Sequence, residues 1–154
     1  MDILGRDIYH IIQPLGAFGA GHSAAIIGNS TTGYDYYSYG GYDAGTTNKQ
    51  VCTRHFTDLA SAKAWASANT GAAGYAAGYK AGEYWKTDST QDAAARAAAM
   101  AYNNTDYNVV NHNCWNMVYS ALSAAGTTAM NYGSDPNLNY EKNKSQADGN
   151  GPLE

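Results

Sequence analysis

Cys114 sits behind Asn111-His112-Asn113 and ahead of a run whose apolar residues recur at helical spacing, Val118, Ala121, Leu122 and Ala125, with Gly126 at the C′ position. A cysteine in the first turn of a helix faces unsatisfied N–H groups and the positive end of the helix dipole. Both favour a thiolate, which is the nucleophilic form of the side chain. Cys114 is therefore the candidate nucleophile, and reaction with alkylating agents well below pH 7 is the corresponding expectation. Cys52, in "QVCTRHF", has no such setting and reads as a structural thiol on a short strand.

A thiolate nucleophile needs an imidazole partner, and the chain has 4 histidines. His22 opens an apolar strand after a glycine hinge, in "GAGHSAAIIG", so its ring projects at the end of a sheet. It is the candidate base. His112 lies on the approach loop, His10 reads as a half-buried strand histidine, and His55 is too close to Cys52 to turn back on it.

The elements that must position these groups follow from pattern. Strands are expected at Asp7–Gln13, His22–Gly28, Tyr34–Gly40, around Cys52, and at Glu83–Thr87. Helices are expected at Thr57–Ala68 with Thr57 as N-cap, at Ser89–Asn104 with a Ser89/Asp92 capping box, and at Cys114–Ala125. A final strand is expected at "LNYEKN", and loops at "GYDAGTTNKQ" and "NTGAAGYAAGYKAG". If Asn29–Gly33 is the hairpin loop, Gly28 faces Tyr34 and Ser38 lies opposite Ala24, on the face that carries His22. Ser38 is then the candidate orienting group for the imidazole, and a one-residue slip would substitute Asp35 or Tyr37. The Cys114 N–H can supply one oxyanion donor. Asn108 or Asn113 supplies the candidate second donor, with Asn113 also placed to cap the helix.

Composition narrows the classes. The 154 residues fit one α+β domain spanning 1–154, with the terminal "GPLE" (151–154) set aside as a cloning remnant. Hydrophobic residues make up 44% and charged residues only 14%, so Asn, Ser, Thr and 14 tyrosines must carry solubility. The net charge of −4 and the absence of any Lys/Arg run leave no footprint for a phosphate backbone, so no nucleic-acid partner is expected. No apolar run approaches a membrane span, and no leader is visible. The glycine loop at Pro14–Gly21 spells GxxGxG and lacks a following helix, which argues against phosphate binding. Two cysteines and scattered histidines give no metal-ligand spacing, and the acids are not placed as a glycosidase pair.

"GHSAAIIG" with its hairpin, followed far downstream by "YNVVNHNCWNMV", resembles the papain-like cysteine hydrolases in their circularly permuted form, in which the histidine precedes the cysteine. Within that group the chain looks most like the C-terminal toxin domains of bacterial polymorphic (Rhs-type) toxins. "DILGRD" (Asp2–Asp7) is similar to the junction that precedes such toxin tips, with Ile3 where proline is usual. The resemblance implies an antiparallel sheet packed against a helix that starts at the nucleophilic cysteine. It implies a Cys114–His22 thiolate–imidazolium pair and no cofactor. It further implies a monomeric antibacterial effector, delivered by a secretion system into the cytoplasm of a target cell, where it cleaves a protein and is countered by a cognate immunity protein. A peptidoglycan amidase or endopeptidase of the NlpC type, and a non-catalytic binding module on the same scaffold, are the two alternatives. Ser38 departs from the Asn or Asp that usually orients the histidine in papain-like sites.

Overall fold

The computed structural model describes residues 7–16, 19–40, 49–68 and 78–153. Among them the chain forms β1 (Asp7–Gln13), β2 (His22–Asn29), β3 (Gly33–Tyr39), β4 (Val51–Phe56), α1 (Leu59–Ala68), β5 (Ala81–Lys86), α2 (Ser89–Met100), α3 (Cys114–Ala124), α4 (Pro136–Asn143) and β6 (Gly149–Pro152). The strands make one antiparallel sheet in the order β4-β3-β2-β1-β5-β6.

β1 and β2 are buried along their whole length, which suits their near-continuous apolar sequences. Side chains alternate between two packed faces. Ile8, Ala25, Ile27, Tyr37 and Trp85 pack beneath α2 and α3, against Ala95, Trp115, Val118 and Leu122. On the opposite face Tyr9, Ile11, Ala24, Ile26 and Tyr36 pack beneath Ala62 and Ala66 of α1. Each fully buried isoleucine contributes roughly 1.5–3 kcal/mol of transfer free energy, so the two central strands anchor the molecule. The alanine stripe of α2 needs little space, and Arg96 from the same helix donates to the Ile27 carbonyl at 3.1 Å.

The β2–β3 hairpin has the expected register: Gly28 pairs with Tyr34 and Ala24 with Ser38. Its closing residue, Gly33, has φ +87°, where a side chain would be strained. Several expectations are corrected. "LNYEKN" is helical: Asp135 accepts from the Leu138 N–H as N-cap and Pro136 occupies the first turn. The capping box of α2 is Asp88 with Gln91, one residue earlier than expected, and the helix stops at Met100. The first helix is capped by Asp58, which accepts from the Ser61 N–H at 2.7 Å, instead of by Thr57. Setting "GPLE" aside from the fold is also corrected: Gly151 and Pro152 belong to β6, and Leu153 is buried in the α1-side core. The Asp2–Arg6 part of the toxin-junction motif, most of the 41–50 loop, and 69–77 lie outside the described residues.

Candidate active site

α3 begins where the sequence placed its chemistry. Asn113 caps it: its Oδ1 accepts from the Asn116 N–H at 3.1 Å, and the Asn116 side chain accepts from the Asn113 N–H at 2.9 Å. The Asn113 amide donates to the carbonyls of Val109 and Ser134, both at 2.9 Å, so it is committed to holding the approach loop. Asn108 lies on the surface in a bridge with His112, and its side-chain carbonyl accepts from the Val110 N–H at 2.9 Å.

Cys114 is 1% exposed. The ladder between β2 and β3 ends at the Ala24–Ser38 pair. The next residue of β2, Ser23, turns its N–H to the Cys114 sulfur at 3.5 Å. The Trp115 N–H and the Tyr107 hydroxyl also donate to that sulfur. Tyr107 is a functional candidate that the sequence reading missed; its position seven residues before the cysteine on an irregular loop carries no periodic signal.

His22, the neighbour of Ser23, is 2% exposed. Its Nε2 and the Ser38 hydroxyl are 2.9 Å apart. Both side chains lie on the α1 face, where the Tyr79 ring stands 6.1 Å from the imidazole. Gly16 packs against His22: a methyl group added there would meet the His22 Cβ at 2.7 Å. The loop that carries Gly16 is clamped by α4. The Asn137 amide donates to the carbonyls of Pro14 and Gly19, both at 3.0 Å, and its backbone N–H donates to Ala20 at 3.1 Å.

Burial sets the ionisation of this end of the sheet. It pushes the Cys114 thiol up to about 11, against the smaller opposing effect of its hydrogen-bond donors, and lowers His22 to about 3. Burial thus favours the neutral form of both the thiol and the imidazole. The expected thiolate–imidazolium pair is opposed by this loss of solvent and favoured by the helix terminus.

The remaining histidines are engaged elsewhere. His112 stacks on Tyr102 at 4.4 Å and meets the Thr105 hydroxyl at 3.0 Å. His55 pairs with Asp35 at 2.7 Å. Asp35 also pairs with Arg96 at 3.1 Å, on the α2 face, away from His22. His10 is not half-buried as expected but fully buried, between Glu83 and Ser23. Cys52 pairs across from Ser38 on β4 and is half-buried, and no disulfide joins it to Cys114.

A cavity of about 460 Å³ opens between α4 and the β1–β5–β6 side, with Pro14, Lys80, Asn137 and Lys144 in its wall. It borders the clamped glycine loop, and Cys114, His22 and Ser38 are not in its lining. Among the described residues no cluster of His, Cys, Asp and Glu could hold a metal ion, and no helix is long and apolar enough to cross a membrane.

No family model matches the chain, and no curated protein matches it. Among solved structures it is similar to the crystal structure of the Type VI secretion system effector TseH, with a TM-score of 0.62 and 19% identity over 95% of this chain and 91% of that one. The two chains share an α+β fold through almost their full lengths.

Proposed function

We propose that this chain is a permuted papain-like cysteine hydrolase that acts as an antibacterial effector domain. The observation that carries the reading is the meeting at the start of β2. There a helix-initial thiol contacts the backbone of Ser23, while the adjacent His22 is held by a hydroxyl from the paired strand. The fold shared with an effector of the Type VI secretion system supports delivery into a rival cell and, with it, a cognate immunity protein.

Ser38 engages Nε2 of His22, so Nδ1 is the nitrogen that takes the thiol proton. Displacement of the Gly16 loop by substrate opens the site. Cys114 then attacks an amide carbonyl as His22 accepts its proton. The oxyanion is held by the Cys114 N–H at the helix start and by the Tyr107 hydroxyl, which is better placed than the surface-facing Asn108. His22 returns the proton to the leaving amine, and water releases the acyl-enzyme. Holding the pair neutral until substrate enters keeps the nucleophile latent.

A protein of the target-cell cytoplasm is the favoured substrate, consistent with the acidic charge. Peptidoglycan is the alternative, and a non-catalytic binding module is a third reading. Bacteria expressing the wild-type chain should stop growing, and those expressing Cys114→Ala should grow normally. Equal toxicity of the two would rule out the cysteine mechanism. Incubation with purified sacculi beside cytosolic extract separates the substrates: released muropeptides with an intact proteome would move the assignment to the cell wall.

A further inference from the structure

Glu83, His10 and Ser23 form a hydrogen-bonded chain across β5, β1 and β2, and all three are 0% exposed. His10 Nδ1 lies 2.9 Å from Glu83 Oε1, and His10 Nε2 lies 2.7 Å from Ser23 Oγ. The antiparallel register makes this contact: His10 stands opposite Glu83, and Ser23 is the partner of Ile12, two residues along β1. A carboxyl, an imidazole and a hydroxyl occupy a layer that elsewhere is filled by Ile8, Ala25, Ile27 and Trp85. Apolar residues would fill it without the desolvation that three polar groups incur. The ends of the chain suggest what is gained. Ser23 follows His22 in sequence and gives its N–H to the Cys114 sulfur. The His10 ring packs on Trp115, the residue after Cys114, with centroids 5.0 Å apart, and Tyr140 closes the other side at 5.8 Å. His10 therefore touches the chain neighbours of both members of the proposed pair.

We infer that Glu83, His10 and Ser23 are positioning residues that hold β2 and the start of α3 in register, so that the Ser23 N–H stays on the Cys114 sulfur. The inference rests on the cysteine-hydrolase reading. The polarity that fits is an Nδ1–H donating to Glu83 and a Ser23 hydroxyl donating to Nε2. Burial raises the pKa of the Glu83 carboxyl, and a glutamine in its place offers the same acceptor to Nδ1–H. The hydrogen bond, more than a full negative charge, does the holding.

The test is the rate at which iodoacetamide alkylates Cys114, read by mass spectrometry in a Cys52→Ser background, with melting temperature measured alongside. Loss of packing alone exposes the thiol and speeds alkylation. Loss of positioning takes the N–H away from the sulfur, leaves less thiolate, and slows it. His10→Phe, which keeps a ring against Trp115, should slow alkylation about threefold to tenfold. Glu83→Leu should match it, and Glu83→Gln should restore most of the loss. Ser23→Ala, a single hydroxyl deletion, carries the same expectation should His10→Phe fail to fold. An unchanged or faster rate in these variants, or a Glu83→Gln no better than Glu83→Leu, overturns the inference. Iodoacetamide needs no substrate, so this outcome is separate from a Cys114→Ala chain that stays toxic, which sinks the hydrolase reading itself.

Discussion

Two buried histidines stand on adjacent strands of one sheet, and their surroundings give them opposite characters. His10, on β1, points toward α3, with a carboxyl on one ring nitrogen and a hydroxyl on the other. His22, on β2, points toward α1, beside a serine hydroxyl and beneath a glycine loop. Partners on both ring nitrogens fix a ring in direction and in tautomer. A neutral hydroxyl fixes direction alone and leaves basicity to be set by solvent and substrate. The first arrangement suits a brace and the second a base that must stay uncharged until it is needed.

Removing the base is the strongest way to break this comparison. His22→Ala should lower activity on the order of 10³-fold or more, about as much as Cys114→Ala, because the two act as a unit. His112→Ala should keep most activity. Growth arrest measured against induction level ranks the three variants. A toxic His22→Ala beside a harmless His112→Ala would transfer the role of base to His112.

Acid sharpens the comparison next. Burial lowers His22 from about 6.5 to about 3, so between those values the unfolded chain binds the proton that the folded chain refuses. Stability from this group is complete above about pH 6.5 and is lost as pH falls toward 3. At pH 5 the loss amounts to about 2 kcal/mol. Melting curves between pH 7 and 4 should show the fall, and His22→Gln should flatten it. An equally steep fall in that variant would assign the acid sensitivity to groups other than His22.

The smallest effect concerns the orienting hydroxyl. Ser38→Ala leaves a buried ring nitrogen without its partner, at about 1–3 kcal/mol, so turnover should drop roughly 10- to 100-fold. Asp35→Asn should change turnover less than threefold, since Asp35 meets His55 and Arg96 on the other face. A larger loss in Asp35→Asn would show that the wrong face of β3 was chosen for the orienting group.

The legible parts of this molecule are the local ones. A tight turn over residues 30–32, closed by the Asn29–Gly33 pair, sets the β2–β3 register, and that register puts Ser38 opposite Ala24. The helix start at Cys114 followed from its Asn113 cap and apolar spacing. The Asp135-Pro136 start of α4 is equally local, and the weak alternation of "LNYEKN" masks it. What stayed hidden depends on contacts made far along the chain. His10 and Glu83 are 73 residues apart and meet through a strand pairing that no local pattern encodes. β6 is a glycine-rich segment with no strand signal of its own, ordered by the edge of β5. Depth of burial is hidden for the same reason: the helix terminus at Cys114 is visible in the sequence, and the loss of solvent that opposes ionisation there is not.

The burial of the helix-initial thiol also bears on how the protein ages. Oxidants attack the thiolate, and the route from sulfenic to sulfonic acid begins with access and ionisation. Cys114 has neither in the closed conformation, being 1% exposed and pushed up to about 11. Half-buried Cys52 is the thiol that peroxide reaches first. Buried at the start of α3, Cys114 is thus a thiol held in reserve: peroxide spends itself on Cys52 while the helix-initial sulfur stays reduced.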